Sequence, residues 1–316
     1  MIITKKEAET SNKYGSNPYK RPVPELINTG IFIADKPRGP TSHQTSAYVK
    51  QILGLKKTGH SGTLDPNVTG VLPIALGRAT RIVQALVGES KEYVGIMHVH
   101  KSFEEYDLRK TISEFTGKIS QLPPIKSSVK RQWRKRTVYK FEILEIEEKD
   151  ILFRVLCEAG TYIRKLVHDI GQKLGAGAHM TELRRTKAGP FTEKQCFILQ
   201  DLVDAYHYYK NEGNEKFIRA VIRPIEEGVQ HLRKVFALDS AVNTICHGAD
   251  LSLPGISKYD DEIKAGEQVA VMTLKDELVA LGVSKIEGKN YSKQKGIAVN
   301  VRKVFMLPGT YPKISS

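Results

Sequence analysis

Apolar and polar positions alternate in two ways along the first two-thirds of the chain, with period two in some segments and helical spacing in others. Period two and short apolar runs predict strands, at 30–34, 71–76, 91–99, 138–146 and 151–158. Helical spacing predicts amphipathic helices, beginning after Thr41 or Ser42, near Arg78, near Phe103 and near Thr161. Because strands outnumber helices and several are joined by short turns, we expect an α+β fold with a mixed, mainly antiparallel sheet and flanking helices.

The two ends of the chain break this pattern. Residues 1–29 are polar, contain three prolines and show no sustained periodicity, which predicts an extended N-terminal arm. From about Val235 onward, short apolar segments separated by Gly and Pro replace the longer elements. We therefore expect the arm at 1–29, a larger domain at 30–233, and a small β-rich, barrel-like domain at 234–316.

One stretch, from Gly59 to Leu72, fits neither a core strand nor a helix in its first half. Its sequence is GHSGTLDPNVTGVL, in which three glycines and a proline predict a shaped loop. The loop carries a single acid, Asp65, and the following Pro66 favours an extended backbone there. A rigid loop that presents one carboxylate beside a strand is a common setting for function. The alternative is an Asx-type turn, in which Asp65 only accepts bonds from nearby backbone N–H groups.

Charge and composition narrow the class of partner. The 316 residues carry a formal net charge of +14 and have a pI of about 9.5. A field of that sign attracts polyanions, and nucleic acid is favoured over an anionic membrane. With no segment apolar enough to span a membrane and no signal-peptide pattern, we expect an intracellular protein. Three separated cysteines and no metal-ligand, phosphate-loop or dinucleotide motif give no support to a disulfide framework, a metal site or a cofactor.

Two side chains outside the loop could complete a site around Asp65. Arg164 lies in the first turn of a predicted helix, where a cation opposes the helix dipole. We therefore expect it to have an anionic partner, either a carboxylate such as Asp65 or a phosphate; the alternative is a solvated surface charge. Tyr93 lies in a predicted strand, where it could pack in the core, or stack on a nucleobase and relay a proton through its hydroxyl.

A third feature is a basic segment at 126–136, with the sequence KSSVKRQWRKR. It places six cations around the only tryptophan, Trp133. A run of charge is usually a solvated face. In a strongly basic chain with an interleaved aromatic residue, contact with a phosphate backbone is favoured, and we predict such contacts for Lys130, Arg131 and Arg134.

Four motifs, in this order, resemble the pseudouridine synthase family that includes the stand-alone tRNA enzyme and the guide-RNA-dependent dyskerin-type enzymes. They are DKPRGPTSH at 35–43, GHSGTLDP at 59–66, KEY at 91–93, and GTYIR at 160–164 followed by LRR at 183–185. The resemblance implies the pseudouridine synthase fold and an RNA isomerase that works without a cofactor. Such an enzyme breaks the glycosidic bond of uridine, rotates the uracil and rejoins it through carbon.

The same resemblance implies roles for the matched residues. Asp65 would be the catalytic nucleophile or its equivalent, kept ionised by Arg164 in a dry pocket. Whether the carboxylate attacks the nucleotide or removes a ribose proton stays open. Tyr93 would stack on the flipped uracil and take part in proton removal, and Leu183 would pack against the base. The residues expected to shape the floor of the site or contact RNA there are Lys36, His60 and Arg184.

Two features favour the dyskerin-type branch over the stand-alone enzyme. After Val99 the chain runs almost directly into the next helix, without the long insertion that grips tRNA in the stand-alone enzyme. The C-terminal part resembles a PUA domain, which in this family holds the 3′ ACA end of a box H/ACA guide RNA. The residues expected to contact that RNA are Gly248, Ala249, Leu251 and Gly255.

The resemblance then implies a ribonucleoprotein that modifies guide-selected uridines in rRNA and in some cases tRNA. Its expected partners are the guide RNA, the substrate RNA, two small protein subunits on the catalytic domain, and a kink-turn-binding ribosomal-type protein on the guide RNA. We expect a cytoplasmic archaeal protein, or a nucleolar one if the source is a eukaryote. Two alternatives stay open: a guide-independent tRNA pseudouridine synthase, and a non-catalytic RNA scaffold in which Asp65 is only a turn residue.

Overall fold

A computed structural model describes residues 1–123 and 130–313. Their backbone forms a ten-stranded and a seven-stranded sheet, and the α+β prediction is confirmed. The strands are β1 Ile2–Thr4, β2 Gly30–Lys36, β3 Thr58–His60, β4 Thr69–Leu76, β5 Lys91–Val99, β6 Gly117–Gln121, β7 Arg134–Glu147, β8 Asp150–Cys157, β9 Ala178–Ala188, β10 Phe191–Thr192, β11 Ile222–Pro224, β12 Arg233–Ala237, β13 Leu251–Ser252, β14 Ile256–Asp260, β15 Gln268–Met272, β16 Leu278–Ser284 and β17 Ile297–Val304. The α-helices are α1 Val23–Thr29, α2 Ser42–Ile52, α3 Val83–Val87, α4 Glu105–Glu114, α5 Ile163–Lys173, α6 Leu199–Glu212, α7 Glu215–Val221 and α8 Asp239–Cys246.

The ten-stranded sheet positions the candidate site. Its order is β11-β2-β4-β9-β5-β8-β7-β6, with β3 also paired to β4 and β10 to β9. Its pairs are antiparallel except that β4 and β9 run parallel, with Thr69 opposite Arg184 and Gly70 opposite Arg185. Because β4 follows the 59–68 loop directly, this parallel pairing brings the loop against β9.

Strand β5 and helix α5 build the core beneath this region. Alternate residues of β5 are buried, as period two requires of a strand with one face in the core. On the helix, one stripe is buried against the same apolar cluster: Ile163, Leu166, Val167 and Ile170. Arg164 and His168 lie on the opposite, exposed side of the helix, four residues apart. The fold therefore fixes α5 by its apolar stripe and leaves Arg164 facing outward.

Helix α2 begins where the sequence predicts. Thr41 is its N-cap and accepts a hydrogen bond from the Gln44 backbone N–H, while the Gln44 side chain accepts one from the Thr41 backbone N–H. This reciprocal capping box satisfies two helix-end donors. It also places Ser42, the first residue of the helix, against the 59–68 loop.

Three predicted elements differ in the structure. Residues 1–29 are not extended throughout, because α1 buries Val23, Leu26 and Ile27, and β1 pairs with β14. The segment from Arg78 is a 3₁₀ helix over Gly77–Ile82, followed by the short α3. Strand β9 was not predicted, since its sequence AHMTELRRTKA is mostly polar and lacks an apolar alternation. It forms because β4 and β5 pair on its two sides.

The seven-stranded sheet consists of the strands of the C-terminal domain together with β1, the first strand of the chain. Its order is β1-β14-β12-β15-β16-β17-β13. A buried ion pair fastens the predicted arm to both domains: Arg21 donates to Glu226 at 2.6 and 2.9 Å, and Glu226 accepts the backbone N–H of Leu278 at 2.8 Å. Within residues 1–123 and 130–313, no helix is both long and apolar enough to cross a membrane.

Candidate active site

The loop that carries Asp65 is held from below by α2. The Ser42 hydroxyl donates to the carbonyl of Leu64 at 3.1 Å and accepts the Leu64 backbone N–H at 2.7 Å. On the other side, the backbone N–H of Ser61 donates to the carbonyl of Pro73 in β4. These bonds tie both flanks of the loop to regular elements, which limits how far the Asp65 backbone can move.

Lys36 lies beneath the same loop and is fully buried. Its ammonium donates to the carbonyls of Pro37 at 2.9 Å, Pro66 at 3.1 Å and Val68 at 2.9 Å. Burial lowers the pKa of this amine below its usual value, and the negative charge of Asp65 opposes that shift. The predicted RNA contact of Lys36 is therefore wrong: all three ammonium donors bind backbone, and the side chain acts as a clamp in the floor of the site.

The structure brings Asp65 and Arg164 together. The guanidinium of Arg164 donates through Nη2 to Oδ2 of Asp65. The two side chains are 53% and 60% exposed, so the dry pocket predicted for this pair is wrong. The reason is the position of Arg164 on the outward side of α5, from which its side chain reaches the loop across the open face of the site. The carboxylate is thus fixed in direction by a cation but accessible to a large substrate.

Tyr93 and Leu183 form the apolar wall behind this pair. Tyr93 is 9% exposed and Leu183 is 8% exposed. Burial raises the pKa of the Tyr93 hydroxyl, although Arg185 beside it favours the phenolate and offsets part of that rise. The phenol is therefore neutral around pH 7. Leu183 lies opposite Gly95 of β5, where an added Cβ would come within 2.8 Å of the leucine side chain.

Arg185 is the residue of this site that the sequence analysis missed. It is 1% exposed, and its guanidinium donates to the carbonyls of Val71 at 2.7 Å and Gly62 at 3.3 Å. Its backbone lies so close to Gly70 that a Cβ there would be 2.2 Å from the Arg185 carbonyl. The LRR motif and Gly70 mark this position in the sequence. The sequence pattern around a buried arginine that binds backbone carbonyls does not, however, differ from that around an exposed arginine.

His60 faces the same space from the start of the loop. Burial lowers the pKa of its imidazole, and the neighbouring charges of His43 and Arg185 lower it further. The His43 and His60 rings meet edge to face with centroids 6.1 Å apart. Among the described residues, none bonds the buried Nδ1 of His60. His60 is thus a neutral ring near pH 7 whose Nδ1 is buried, and its predicted contact with the nucleotide stays a prediction.

Arg184, predicted to contact RNA, is occupied by two carboxylates. It makes a two-pronged ion pair with Asp35, with both distances 2.9 Å, and a further bond to Glu193. These hydrogen bonds raise the pKa of the guanidinium. Two acids compensate its charge, so the structure gives Arg184 the role of joining β9 to β2 rather than the predicted phosphate contact.

The basic segment is described from residue 130 onward; residues 126–129 lie outside the described part of the chain. Lys130 and Arg131 are exposed, and Arg134 begins β7 with its Nη2 donating to the Lys130 carbonyl at 3.4 Å. Trp133 is 70% exposed. These side chains therefore remain available to an external partner, and their contacts with RNA stay a prediction.

The predicted RNA-contacting loop of the C-terminal domain divides into two parts. Gly248 and Ala249 are exposed at the end of α8, and Gly248 has a φ of 92°. Leu251 is 1% exposed inside the domain core. Gly255 is buried, and its carbonyl accepts the N–H of Leu238. Strand β13 turns the Leu251 side chain into the core, so this side chain does not face an RNA, and Gly255 supports the loop from inside.

Metal ligands are a separate question. In the two described ranges, no group of three or more His, Cys, Asp and Glu side chains is arranged to hold a metal ion. The groups of the site that can take part in chemistry are the Asp65 carboxylate, the Arg164 guanidinium, and the neutral rings of Tyr93 and His60.

Comparison with protein families covers nearly the whole chain. The N-terminal domain of TruB family pseudouridylate synthases matches residues 50–163, and the tRNA pseudouridylate synthase B C-terminal domain matches 164–230. A PUA domain matches 233–305, as the sequence indicated, and a DKCLD domain matches 1–46.

Two named relatives and two solved structures match nearly the whole chain and agree with the family models. The probable tRNA pseudouridine synthase B of Nanoarchaeum equitans is 54% identical over 314 residues, 99% of this chain and 90% of that protein. That of Methanocaldococcus jannaschii is 52% identical over 314 residues, 99% of this chain and 94% of that protein. The crystal structure of a Cbf5-Nop10-Gar1 complex matches 99% of this chain and 96% of its own at 53% identity, with a TM-score of 0.94. An H/ACA RNP bound to substrate RNA containing 2′-deoxyuridine matches 99% of this chain and 96% of its own at 51% identity and a TM-score of 0.93. The chain therefore belongs to the TruB family of pseudouridylate synthases, in the archaeal, dyskerin-type branch that its motifs indicated.

Proposed function

We propose that this chain is the catalytic subunit of a box H/ACA ribonucleoprotein and isomerises guide-selected uridines to pseudouridine through Asp65. The observation that carries the proposal is the Asp65–Arg164 pair, whose carboxylate is near enough to the neutral phenol of Tyr93 to influence its pKa. One carboxylate, one cation and one aromatic wall in a cleft open to a macromolecule suit chemistry on an RNA base that has left its stack.

The arrangement divides the reaction among its residues. Arg164 holds the Asp65 carboxylate in one orientation through the hydrogen bond from its guanidinium. Asp65 is then available either to attack the nucleotide or to remove a proton from its ribose. The ring of Tyr93 and the aliphatic side chain of Leu183 would provide an apolar surface against which the detached uracil can rotate. Since the new bond forms at C5 of the base, the C5 proton must leave, and we assign the hydroxyl of Tyr93 a part in that step.

Guide dependence is supported by the second domain and by the solved relatives. The exposed Gly248 and Ala249 give the PUA domain a surface where a nucleotide backbone can approach closely. The related structures are of Cbf5 with Nop10 and Gar1, and of an H/ACA RNP with substrate RNA. By similarity, the partners of this chain are a guide RNA, two small proteins of the Nop10 and Gar1 kinds, and a kink-turn-binding protein on the RNA.

A second candidate function is guide-independent modification of tRNA. The specific observation in its favour is the name of the curated relatives, tRNA pseudouridine synthase B, which match over 99% of the chain. Both functions use the same Asp65 site and differ only in how the target uridine is selected.

The test compares RNA substrates carrying tritium at C5 of the target uridine, with this chain alone and with the chain assembled on guide RNA and partners. Guide-dependent function predicts tritium release from the guide-matched strand only in the assembled complex. Equal release from bare tRNA by the chain alone would favour the second candidate. Asp65→Asn serves as the inactive control, and Asp150→Asn, a change at an exposed acid paired with His98, serves as the matched active control.

A further inference from the structure

We propose that Arg185 is a positioning residue for the reaction, whose buried guanidinium turns the hydroxyl of Tyr93 toward the substrate. The two residues lie directly opposite each other, on the neighbouring antiparallel strands β9 and β5. Side chains at opposite positions of such a pair share one face of the sheet and are within reach of each other. The inference rests on the proposed function, since it assigns a further residue to the Asp65 site.

The guanidinium of Arg185 is held in place by backbone groups. Its Nε donates to the carbonyl of Val71 at 2.7 Å, and its Nη2 donates to that of Gly62 at 3.3 Å. The backbone of Arg185 is held as well, because β4 approaches it so closely that a Cβ on Gly70 would lie 2.2 Å from the Arg185 carbonyl oxygen. The guanidinium therefore cannot turn away from Tyr93 without breaking these bonds.

The chemistry of the two groups sets the direction of the bond between them. The Tyr93 hydroxyl receives a side-chain hydrogen bond from Arg185. A guanidinium has only donors, whereas a phenol hydroxyl both donates and accepts. The Tyr93 oxygen must therefore accept this bond, and its own proton points away from Arg185. Because Arg185 lies in the protein interior, that proton is directed toward the open side of the site.

The charge of Arg185 is unusual for a structural arginine. Within residues 1–123 and 130–313, no carboxylate forms an ion pair with this buried guanidinium, whereas the buried Arg21 is paired with Glu226. Its neighbours Lys36 and Lys91 are cations whose pKa values Arg185 lowers further. A buried charge without a counter-ion costs stability, and side chains that carry such a cost are concentrated at functional sites.

A directed hydroxyl serves the step at C5 of the uracil. Forming pseudouridine replaces the bond from N1 to the ribose by a bond from C5, so C5 loses a proton and N1 gains one. The C5–H bond breaks, its electron pair restores the ring double bond, and its proton passes to the Tyr93 oxygen while the hydroxyl proton leaves to water. N1 takes its proton from water. The cation of Arg185 stabilises negative charge that develops on the phenol oxygen.

The first test asks whether the bond exists in solution, with the whole chain labelled with ¹⁵N in its arginines. Tyr93→Phe removes only the phenol oxygen, so we expect the guanidinium NMR signals of Arg185 to shift. Tyr139→Phe, at an exposed tyrosine of β7, is the matched control and should leave them unmoved. This measurement needs neither RNA nor turnover.

The second test measures single-turnover isomerisation by the assembled complex. Arg185→Gln should slow the reaction about 10- to 100-fold, as expected for loss of a hydrogen bond to a charged group. Substrate Kd should stay within about threefold of wild type. Arg185→Lys keeps the cation and should recover part of the rate. Arg154→Gln, at an exposed arginine of β8, is the control and should react as the wild type does.

The third test follows the pKa of the Tyr93 phenol in chains with ¹³C-labelled tyrosine, in which the Tyr93 signal is identified by its loss in Tyr93→Phe. A cation beside a phenol favours the phenolate. Arg185→Gln should therefore raise the pKa of Tyr93 above its wild-type value, and Arg185→Lys should bring it back. A purely structural arginine would not produce this pattern.

Unmoved Arg185 signals in Tyr93→Phe, or a Tyr93 pKa that is the same in the wild type and in Arg185→Gln, would overturn the proposal. A loss confined to Kd would do the same, because Arg185 would then only shape the loop through Gly62 and Val71. If Arg185→Gln does not fold, the arginine signals of Tyr93→Phe decide the question. Failure of the proposed function would show instead as turnover by the Asp65→Asn complex, on which neither NMR measurement depends.

Discussion

Lysine and arginine side chains are buried in one region of this protein and exposed in a neighbouring region. Beneath the 59–68 loop, Lys36, Lys91 and Arg185 are at most 4% exposed and donate to backbone carbonyls. In the basic segment before β7, Lys130 and Arg131 are exposed. The first group shapes the protein and the second is free to meet a polyanion. The net charge of +14 thus overstates the charge available to RNA, because some of the cationic side chains are buried and bind backbone carbonyls.

The largest effect on stability is expected at Lys36. Lys36→Met removes the donor that the carbonyls of Pro37, Pro66 and Val68 share. Leaving buried carbonyls without partners should lower the free energy of unfolding by about 2–4 kcal/mol, as measured by urea denaturation. Lys57→Met, at an exposed lysine, is the control and should change it by less than about 0.5 kcal/mol. A tolerated Lys36→Met would mean that the loop does not depend on this clamp.

A pH dependence distinguishes a buried cation from a solvated one. Lys91 donates to the carbonyls of Leu86, Val87 and Glu89, and burial, assisted by Arg185, lowers its pKa to about 8. The unfolded chain has an ordinary lysine pKa, near 10.4. Between these two pKa values the unfolded state binds more protons than the folded state, so the free energy of unfolding rises with pH. The cost of burying the charged Lys91 amine is fully present below about pH 8.

The measurement is the free energy of unfolding of wild type minus that of Lys91→Met, followed from pH 7 to 10.5. We expect this difference to increase by roughly 3 kcal/mol in favour of the wild type. Titration of the other groups cancels in the subtraction. A flat difference would show that Lys91 keeps an ordinary pKa and behaves like the solvated lysines.

Arg184 tests whether an arginine that is paired with two carboxylates stabilises the fold, as the buried cations do, rather than binding RNA. Arg184→Gln breaks the bonds to Asp35 and Glu193. It should cost about 1–3 kcal/mol of stability, as for hydrogen bonds to charged groups. The salt dependence of RNA binding should not change, since its charge is already compensated. A flattened salt slope in this variant would show that Arg184 contacts RNA, as its sequence motif predicts.

The smallest change in stability and the clearest change in RNA binding are expected in the exposed group. Replacing Lys130, Arg131 and Arg134 by Ala should leave urea denaturation nearly unchanged. It should flatten the slope of log K against log salt by about 0.7 per lost contact to single-stranded RNA. An unchanged slope would show that the segment is only a solvated charged face.

The same comparison explains what the sequence could and could not predict. Strands and helices with a clear period were found, and so were the Thr41 cap and the loop around Asp65. Strand β9 was not, because its polar sequence becomes a strand only through pairing with β4 and β5.

For charged residues, a sequence shows that a cation is present but not what surrounds it. The sequence therefore predicts RNA contacts for Lys36, Arg184 and Lys130 alike. In the structure Lys36 binds backbone carbonyls, Arg184 binds carboxylates, and Lys130 is exposed. The motif match predicted that Asp65 and Arg164 lie together, and the structure has them in contact. The burial of Arg185 and the openness of the Asp65 pair depended on tertiary packing.

The most direct test of the central claim is a single-turnover measurement of C5 tritium release by the assembled Asp65→Asn complex. The substitution keeps the size of the side chain and removes its charge. If the Asp65 carboxylate performs the isomerisation, release from a guide-matched strand falls to background while guide-RNA and substrate affinities stay within about threefold of wild type (under ~0.7 kcal/mol). Tritium release at a substantial fraction of the wild-type rate would contradict the account, because the reaction would then not need the one carboxylate on which the site is built.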